Sequence, residues 1–179
     1  MNTKKKVIIL VFLSTSIYLL FLNIISYKLE IIGDNVAYGQ KDDIELKIFI
    51  TVNNETELNK IRIRYVLTNI GNETITLKTS EYNFYSRLYN EYWPIRTLKP
   101  RDGVVLDIAL LVFLKPGEKY TCSRKDEYEI KSLGRLYISG VWKYIVRREQ
   151  EEIGYYRYIR IETSKIPIQV NFYFSFNRP

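Results

Sequence analysis

The residues able to do chemistry in this chain are few and mostly acidic. Asp42-Asp43, Asp126-Glu127 and the trio Glu149, Glu151 and Glu152 could each approach a hard cation through carboxylate oxygens. None has the spacing of a calcium loop, and all stand beside turn signals, where they read as solvated turn acids. Asp107 is placed inside an apolar run, and a carboxylate buried there would need a partner or a shifted pKa. An outward-facing position on a half-exposed strand is its plainer reading. A carboxylate-type enzyme would have to be built on Asp107. There is no histidine, which removes the commonest general base and the usual zinc ligand. The single Cys122 allows no internal disulfide and no thiolate cluster. Arg124 and Lys125 would lower its pKa if they face it, but a buried structural thiol is the expectation. These residues predict no catalytic centre, no metal site and no cofactor: the chain reads as a non-enzyme.

Recognition chemistry is better represented. Arg147-Arg148 and Tyr155-Tyr156-Arg157-Tyr158-Ile159-Arg160 flank a turn over residues 150–154 and would pair across it. Arg147, Arg148, Tyr155, Tyr156, Arg157, Tyr158 and Arg160 are therefore the candidate interaction surface, since cations interleaved with aromatics bind anionic polymers, glycans or proteins. Cross-strand Tyr/Arg packing against the nearby glutamates is the competing structural reading. A second aromatic cluster, Tyr82, Phe84, Tyr85, Tyr89, Tyr92 and Trp93, could be a carbohydrate or partner surface, or simply core and loop anchors. Asn54-Glu55-Thr56 and Asn72-Glu73-Thr74 are glycosylation sequons in predicted turns, so Asn54 and Asn72 are candidate glycan sites.

Charge narrows the partner. Net charge is +7 from 27 basic and 20 acidic residues, and both signs are interspersed. That describes a solvated surface, not the dense basic footprint of a nucleic-acid binder. Apolar content is 46% against 26% charged, a folding composition with 16 tyrosines. The Ile-, Tyr- and Lys-rich character resembles thermophilic archaeal surface proteins.

The element placed first is residues 7–27, VIILVFLSTSIYLLFLNIISY, uncharged between Lys6 and Lys28. As a helix it would match the hydrocarbon thickness of a bilayer. Lys4, Lys5 and Lys6 before it set the N-terminus inside by the positive-inside rule. The expected layout is a cytoplasmic tip at 1–6, a transmembrane signal anchor at 7–27, a tether at 28–41 and an extracytoplasmic domain at 42–179. The alternative is a cleaved signal, with Ala37-Tyr38-Gly39 before Gln40 as the small-residue site and a secreted product.

After the tether the pattern has period two. Ile44, Leu46, Ile48, Ile50 and Val52 alternate with polar residues, and Ile61, Ile63, Tyr65 and Leu67 do the same. Further strands are expected at 74–79, 84–89, 104–114, 119–123, 134–147, 155–163 and 166–174. The 104–114 stretch is read as central because it is the most apolar. Gly140 marks a bulge, and Pro167 implies that the last strand begins on an edge. Lys115-Pro116-Gly117-Glu118 reads as a type II turn. The fold class is all-β: an antiparallel sandwich of about eight or nine strands behind one transmembrane helix.

Three motifs in order carry a resemblance: Leu67-Thr68-Asn69-Ile70-Gly71-Asn72, then Leu114-Lys115-Pro116-Gly117-Glu118, then Leu133-Gly134-Arg135-Leu136-Tyr137. Together they resemble immunoglobulin-like β-sandwich domains of microbial surface proteins, and also the intracellular proteinase inhibitor type of domain. The chain departs from the immunoglobulin pattern in having one Cys in place of two. A tyrosine corner is also missing, since Ser132 and Leu136 stand where its Asp and Tyr would be. The resemblance implies a sandwich and a binding role. The expected function is a membrane-anchored extracytoplasmic module for protein or envelope interaction, with a protease inhibitor or ligand-binding accessory subunit as the alternative.

Overall fold

A computed structural model of the chain describes residues 13–15, 25–52, 60–98, 110–122, 126–147 and 156–174. Thirteen strands run through the described residues: β1 (Ile25–Ile31), β2 (Val36–Lys41), β3 (Ile44–Val52), β4 (Lys60–Asn69), β5 (Ile75–Thr79), β6 (Phe84–Tyr89), β7 (Pro94–Leu98), β8 (Leu110–Leu114), β9 (Lys119–Thr121), β10 (Asp126–Glu129), β11 (Gly134–Arg147), β12 (Tyr156–Glu162) and β13 (Ile166–Phe174). All pairings among them are antiparallel. One sheet has the order β1-β13-β11-β6-β7, with β12 also on β11. A second has the order β10-β4-β3-β2, with β9 also on β4. β5 and β8 form a two-stranded ribbon.

The two large sheets face one another across a single core. Alternation decides which side chains enter it: Ile44, Leu46, Ile48 and Ile50 of β3 are buried, each two residues from the next, and Leu136, Ile138 and Trp142 of β11 come to meet them. Gly140 interrupts that row because a Cβ there would lie 2.2 Å from Ile48 Cγ2, so the backbone of β11 packs directly against β3. Polar groups inside the core are paired. Tyr65 and Ser86 share a hydrogen bond of 2.7 Å between the sheets, and Trp142 Nε1 donates to Thr79 Oγ1 at 3.1 Å. Phe84 stacks between Trp142 and Tyr120 and meets Tyr65, which fixes one end of the core with aromatic rings.

The long strand β11 organises the first sheet. Its first half pairs with β13 (Gly134↔Val170 to Ile138↔Ile166) and its second half with β12 (Val141↔Glu162 to Arg147↔Tyr156). Ser139 and Gly140 thus oppose Thr163, Ser164 and Lys165, one residue more, which makes a bulge. Thr163 closes it: its N–H donates to Gly140 O at 2.9 Å and its hydroxyl accepts from Gly140 N at 2.9 Å. The bulge therefore lies on the strand opposite Gly140, and the glycine itself answers to Ile48.

Two of the resembling motifs meet at one buried residue. Asn69 Nδ2 donates to the carbonyls of Glu73 (2.7 Å) and Leu114 (2.9 Å), and its Oδ1 accepts from Gly71 N at 2.9 Å. Its backbone exchanges hydrogen bonds with Gly117 and Glu118. Glu118 N donates to Lys115 O and Gly117 has φ +79°, the geometry of the expected type II turn.

Several sequence expectations are corrected. The transmembrane helix at 7–27 does not stand: among the described residues no helix is long and apolar enough to cross a membrane. The last residues of that segment open β1, which pairs with β13 from Ile25↔Phe174 to Ile31↔Ile168. Tyr27, Leu29 and Ile31 alternate with Lys28 and Glu30, a strand pattern hidden by the uniform apolarity before it. The transmembrane-helix and signal-anchor readings lose that support, and residues 7–12 and 16–24 of the segment lie outside the described residues. The stretch taken as a tether contains the rest of β1 and all of β2, and Ala37 of the suggested cleavage site is a core residue. The strands number thirteen among the described residues, not about eight or nine, because β1 is hidden behind the apolar run before it and β2, β7 and β10 are too short or too mixed in pattern to be legible. Of the stretch 104–114 only β8 is described. It is half of a ribbon, not central, and Leu111 and Phe113 are exposed. β13 lies between β1 and β11, so Pro167 does not mark an edge strand.

Candidate functional site

The outer face of the six-stranded sheet carries a continuous layer of aromatic and charged side chains across β6, β11, β12 and the bulge. Because Phe84, Ser86 and Leu88 of β6 point into the core, Tyr85, Arg87 and Tyr89 point out. On β11 the same alternation sends Arg135, Tyr137, Ser139, Val141 and Lys143 outward. On β12 it sends out Arg160 and Glu162. The register places Arg87 beside Ser139, Tyr89 beside Tyr137, and Lys143 beside Arg160. Ser139 and Val141 are wholly buried although they lie on this face.

Glu162 is the hub of the layer. Tyr89 Oη and Ser139 Oγ (2.8 Å) both donate to its Oε1. Arg160 pairs with its Oε2, and Arg87 Nη1 lies 3.6 Å from the same oxygen. Partial burial pushes the carboxyl up, but the hydrogen bonds from Tyr89, Ser139 and Arg160, with the Arg160 charge, outweigh it and hold Glu162 below the ordinary carboxylate range. Arg87 is likewise opposed by its own burial, yet its contacts with Tyr89 and the Glu162 charge push its pKa up. Both groups are therefore charged at neutral pH, and the pair is a fixed electrostatic frame, not a proton-transfer device.

Around this frame the cations sit on rings. Tyr85 has Arg87 at 5.9 Å and Lys143 at 5.5 Å from its centroid; Tyr89 has Lys165 at 4.3 Å; Tyr137 has Arg135 at 5.8 Å. Among the described residues of these strands and the bulge, five outward cations are set against one carboxylate, of which Arg87 and Arg160 reach it. The outer face of the other sheet also carries cations, but they are better matched. Lys47 lies 3.9 Å from Glu45, Arg62 is paired with Glu127 and Lys60 is opposite Glu129, with Arg64 over the Phe49 ring and Lys119 exposed. Among the described residues the larger excess of cations is on the six-stranded side.

Of the residues singled out in sequence, Arg160 belongs to this site. The backbone register sets Arg147 opposite Tyr156, Val146 opposite Arg157 and Ile145 opposite Tyr158, so the predicted pairing across the turn is present. Arg148 and Tyr155 lie outside the described residues, as does Asn54. Asn72 is exposed in the bend after β4, with Thr74 exposed beside it. The aromatic cluster at 82–93 divides: Phe84 is core, Tyr85 and Tyr89 belong to the outer layer, and Tyr92 and Trp93 stand free in solvent. Among the acids, Asp42 and Asp43 form the two-residue turn of the β2–β3 hairpin, Asp42 at φ +53°. Glu127 pairs with Arg62. Asp107, Glu149, Glu151 and Glu152 lie outside the described residues. No three His, Cys, Asp or Glu side chains gather as metal ligands among the described residues. Cys122 is buried, its N–H donating to Tyr65 O. Sequence reading missed Glu162, Arg87 and Ser139, which are 23 residues or more apart from hub to partner and carry no local signal.

No family model matches the chain, and no curated protein matches it.

Proposed function

We propose that this chain is a non-enzymatic interaction module whose working surface is the outer face of β6, β11 and β12, and that it binds an acidic partner there. The observation that carries this reading is the imbalance, among the described residues of this face, of Arg87, Arg135, Lys143, Arg160 and Lys165 against Glu162. Arg87 and Arg160 are held by the Glu162 frame, and Arg135, Lys143 and Lys165 lie against tyrosine rings, so part of the side-chain freedom is already lost before binding. The partner is a protein or glycan of the cell envelope, and the setting is extracytoplasmic, in keeping with the exposed Asn72 sequon.

The test is a charge-reversal series on the full chain with dextran sulfate as the anionic probe. Arg135→Glu with Lys143→Glu should weaken binding about tenfold or more at low salt. Lys47→Glu with Arg64→Glu, which makes the same change in net charge on the other sheet, should leave most of the affinity. Equal losses from both pairs would show that net charge alone drives binding and would overturn the assignment of the face.

A further inference from the structure

The hairpin tip between β6 and β7 displays two aromatic rings that nothing in the described residues covers. Tyr92 and Trp93 are each 73% exposed and Ile95 is 45% exposed, whereas the other tryptophan, Trp142, is fully buried. The tip is held by its own hydrogen bonds. Asn90 Oδ1 accepts from Trp93 N at 2.7 Å and from Tyr92 N at 3.1 Å, and Asn90 N donates to Trp93 O at 3.1 Å. The rings are thus presented on a pinned backbone, and much of the ordering cost of a contact is already met.

The tip follows directly on Tyr89, the first ring of the cationic layer. Behind the tip the layer runs from the largely covered Tyr89 and from Tyr137, with Lys165 and Arg135, to Arg87 and then to Tyr85 and Lys143. Successive outward rows on a strand are separated by about 7 Å. Rings and cations therefore recur together along a flat sheet face whose backbone groups are engaged in pairing β6, β11 and β12. No strand can be added there. A ligand for it must offer flat apolar faces and carboxylates along one rigid chain.

We propose, building on the acidic-partner reading above, that the ligand is an acidic polysaccharide, a polymer of pyranose rings bearing carboxylates. Its ring faces stack on Trp93 and Tyr92 and its carboxylates meet Lys165, Arg135 and Lys143. A peptide of acidic residues alone supplies the charge but no ring face for the tip, and it leaves two exposed aromatic rings without use.

The experiment measures affinity of the full chain for polygalacturonate and for poly-L-glutamate of equal length, with phosphatidylglycerol vesicles as a third probe. Polygalacturonate should bind about tenfold or more tightly than poly-L-glutamate. Tyr92→Ala with Trp93→Ala should remove that preference and leave the weaker, salt-sensitive binding of both polymers. The tip is exposed, so this variant should melt like the wild type. Equal affinity for both polymers, or a preference that survives loss of both rings, overturns the polysaccharide inference and leaves the acidic-partner reading standing. Tighter binding to the vesicles overturns it in favour of a lipid surface. No binding of either polymer at low salt removes both readings together.

Discussion

Glu162 shows how one residue can set a surface. Its carboxylate accepts from Tyr89, Ser139 and Arg160, so its ionised form is favoured in the folded chain, and its folded pKa is below the unfolded one. A depressed carboxyl contributes stability that is fully present above its unfolded pKa, near 4.3 for glutamate, and that is lost as pH falls through the folded value. Glu162→Gln should lower stability at pH 7 by about 1–2 kcal/mol, since charge-assisted hydrogen bonds at a partly exposed site are lost. The difference from wild type should shrink as pH drops below about 4. Thermal melts of both proteins across that range check it; a gap that stays constant into acid would refute the carboxylate's role. None of this could be read from sequence. Arg160 is two residues from Glu162 and was singled out for its charge, but Arg87, Tyr89 and Ser139 reach the hub only through the pairing of three strands.

At the scale of elements, period two carried most of what was legible. β3, β4, β11 and β13 fall where alternation of apolar and polar residues places them, because each sends alternate side chains into the core. The failures have a common cause. Residues 7–27 carry no charge and 104–114 only Asp107, and such nearly uniform apolarity records burial or greasiness without the period that separates strand from helix. β8 is the clearest case, for its Leu111 and Phe113 are exposed even though the run around them suggested a central strand. β7 and β10 have only five and four residues, too few for a pattern to register. Gly140 was singled out correctly but for another reason than the one that holds: it is empty space required by Ile48, and the bulge lies across the ladder. Gly140→Ala should therefore destabilise by about 1–3 kcal/mol through overpacking, although alanine is the better strand former. Denaturant unfolding would read this as a lower midpoint. In an Ile48→Ala background, which lacks the Cγ2 methyl, Gly140→Ala should cost clearly less than it does in the wild type, and that non-additivity would tie the loss to this contact; a Gly140→Ala variant as stable as wild type would exclude it.

At the scale of the whole molecule, the two sheets divide the labour. The five-stranded sheet neutralises much of its own charge, and the six-stranded sheet keeps an excess of cations on a layer of tyrosines. The bulge at Thr163 aids this division: it shifts the register of the chain from β12 to β13 by one residue and brings Lys165 over the ring of Tyr89. Net charge was legible in the sequence, but its segregation onto one face was not, because it depends on which strands lie side by side. The most direct measurement is mapping of backbone amide resonances of the full chain during titration with a short dextran sulfate. The account predicts that the amides of Tyr85, Arg87, Ser139, Lys143 and Lys165 shift, while those of Lys47, Phe49, Arg62 and Arg64 on the opposite face stay in place. Shifts concentrated on Lys47, Arg62 and Arg64, or spread evenly over both faces, would contradict it.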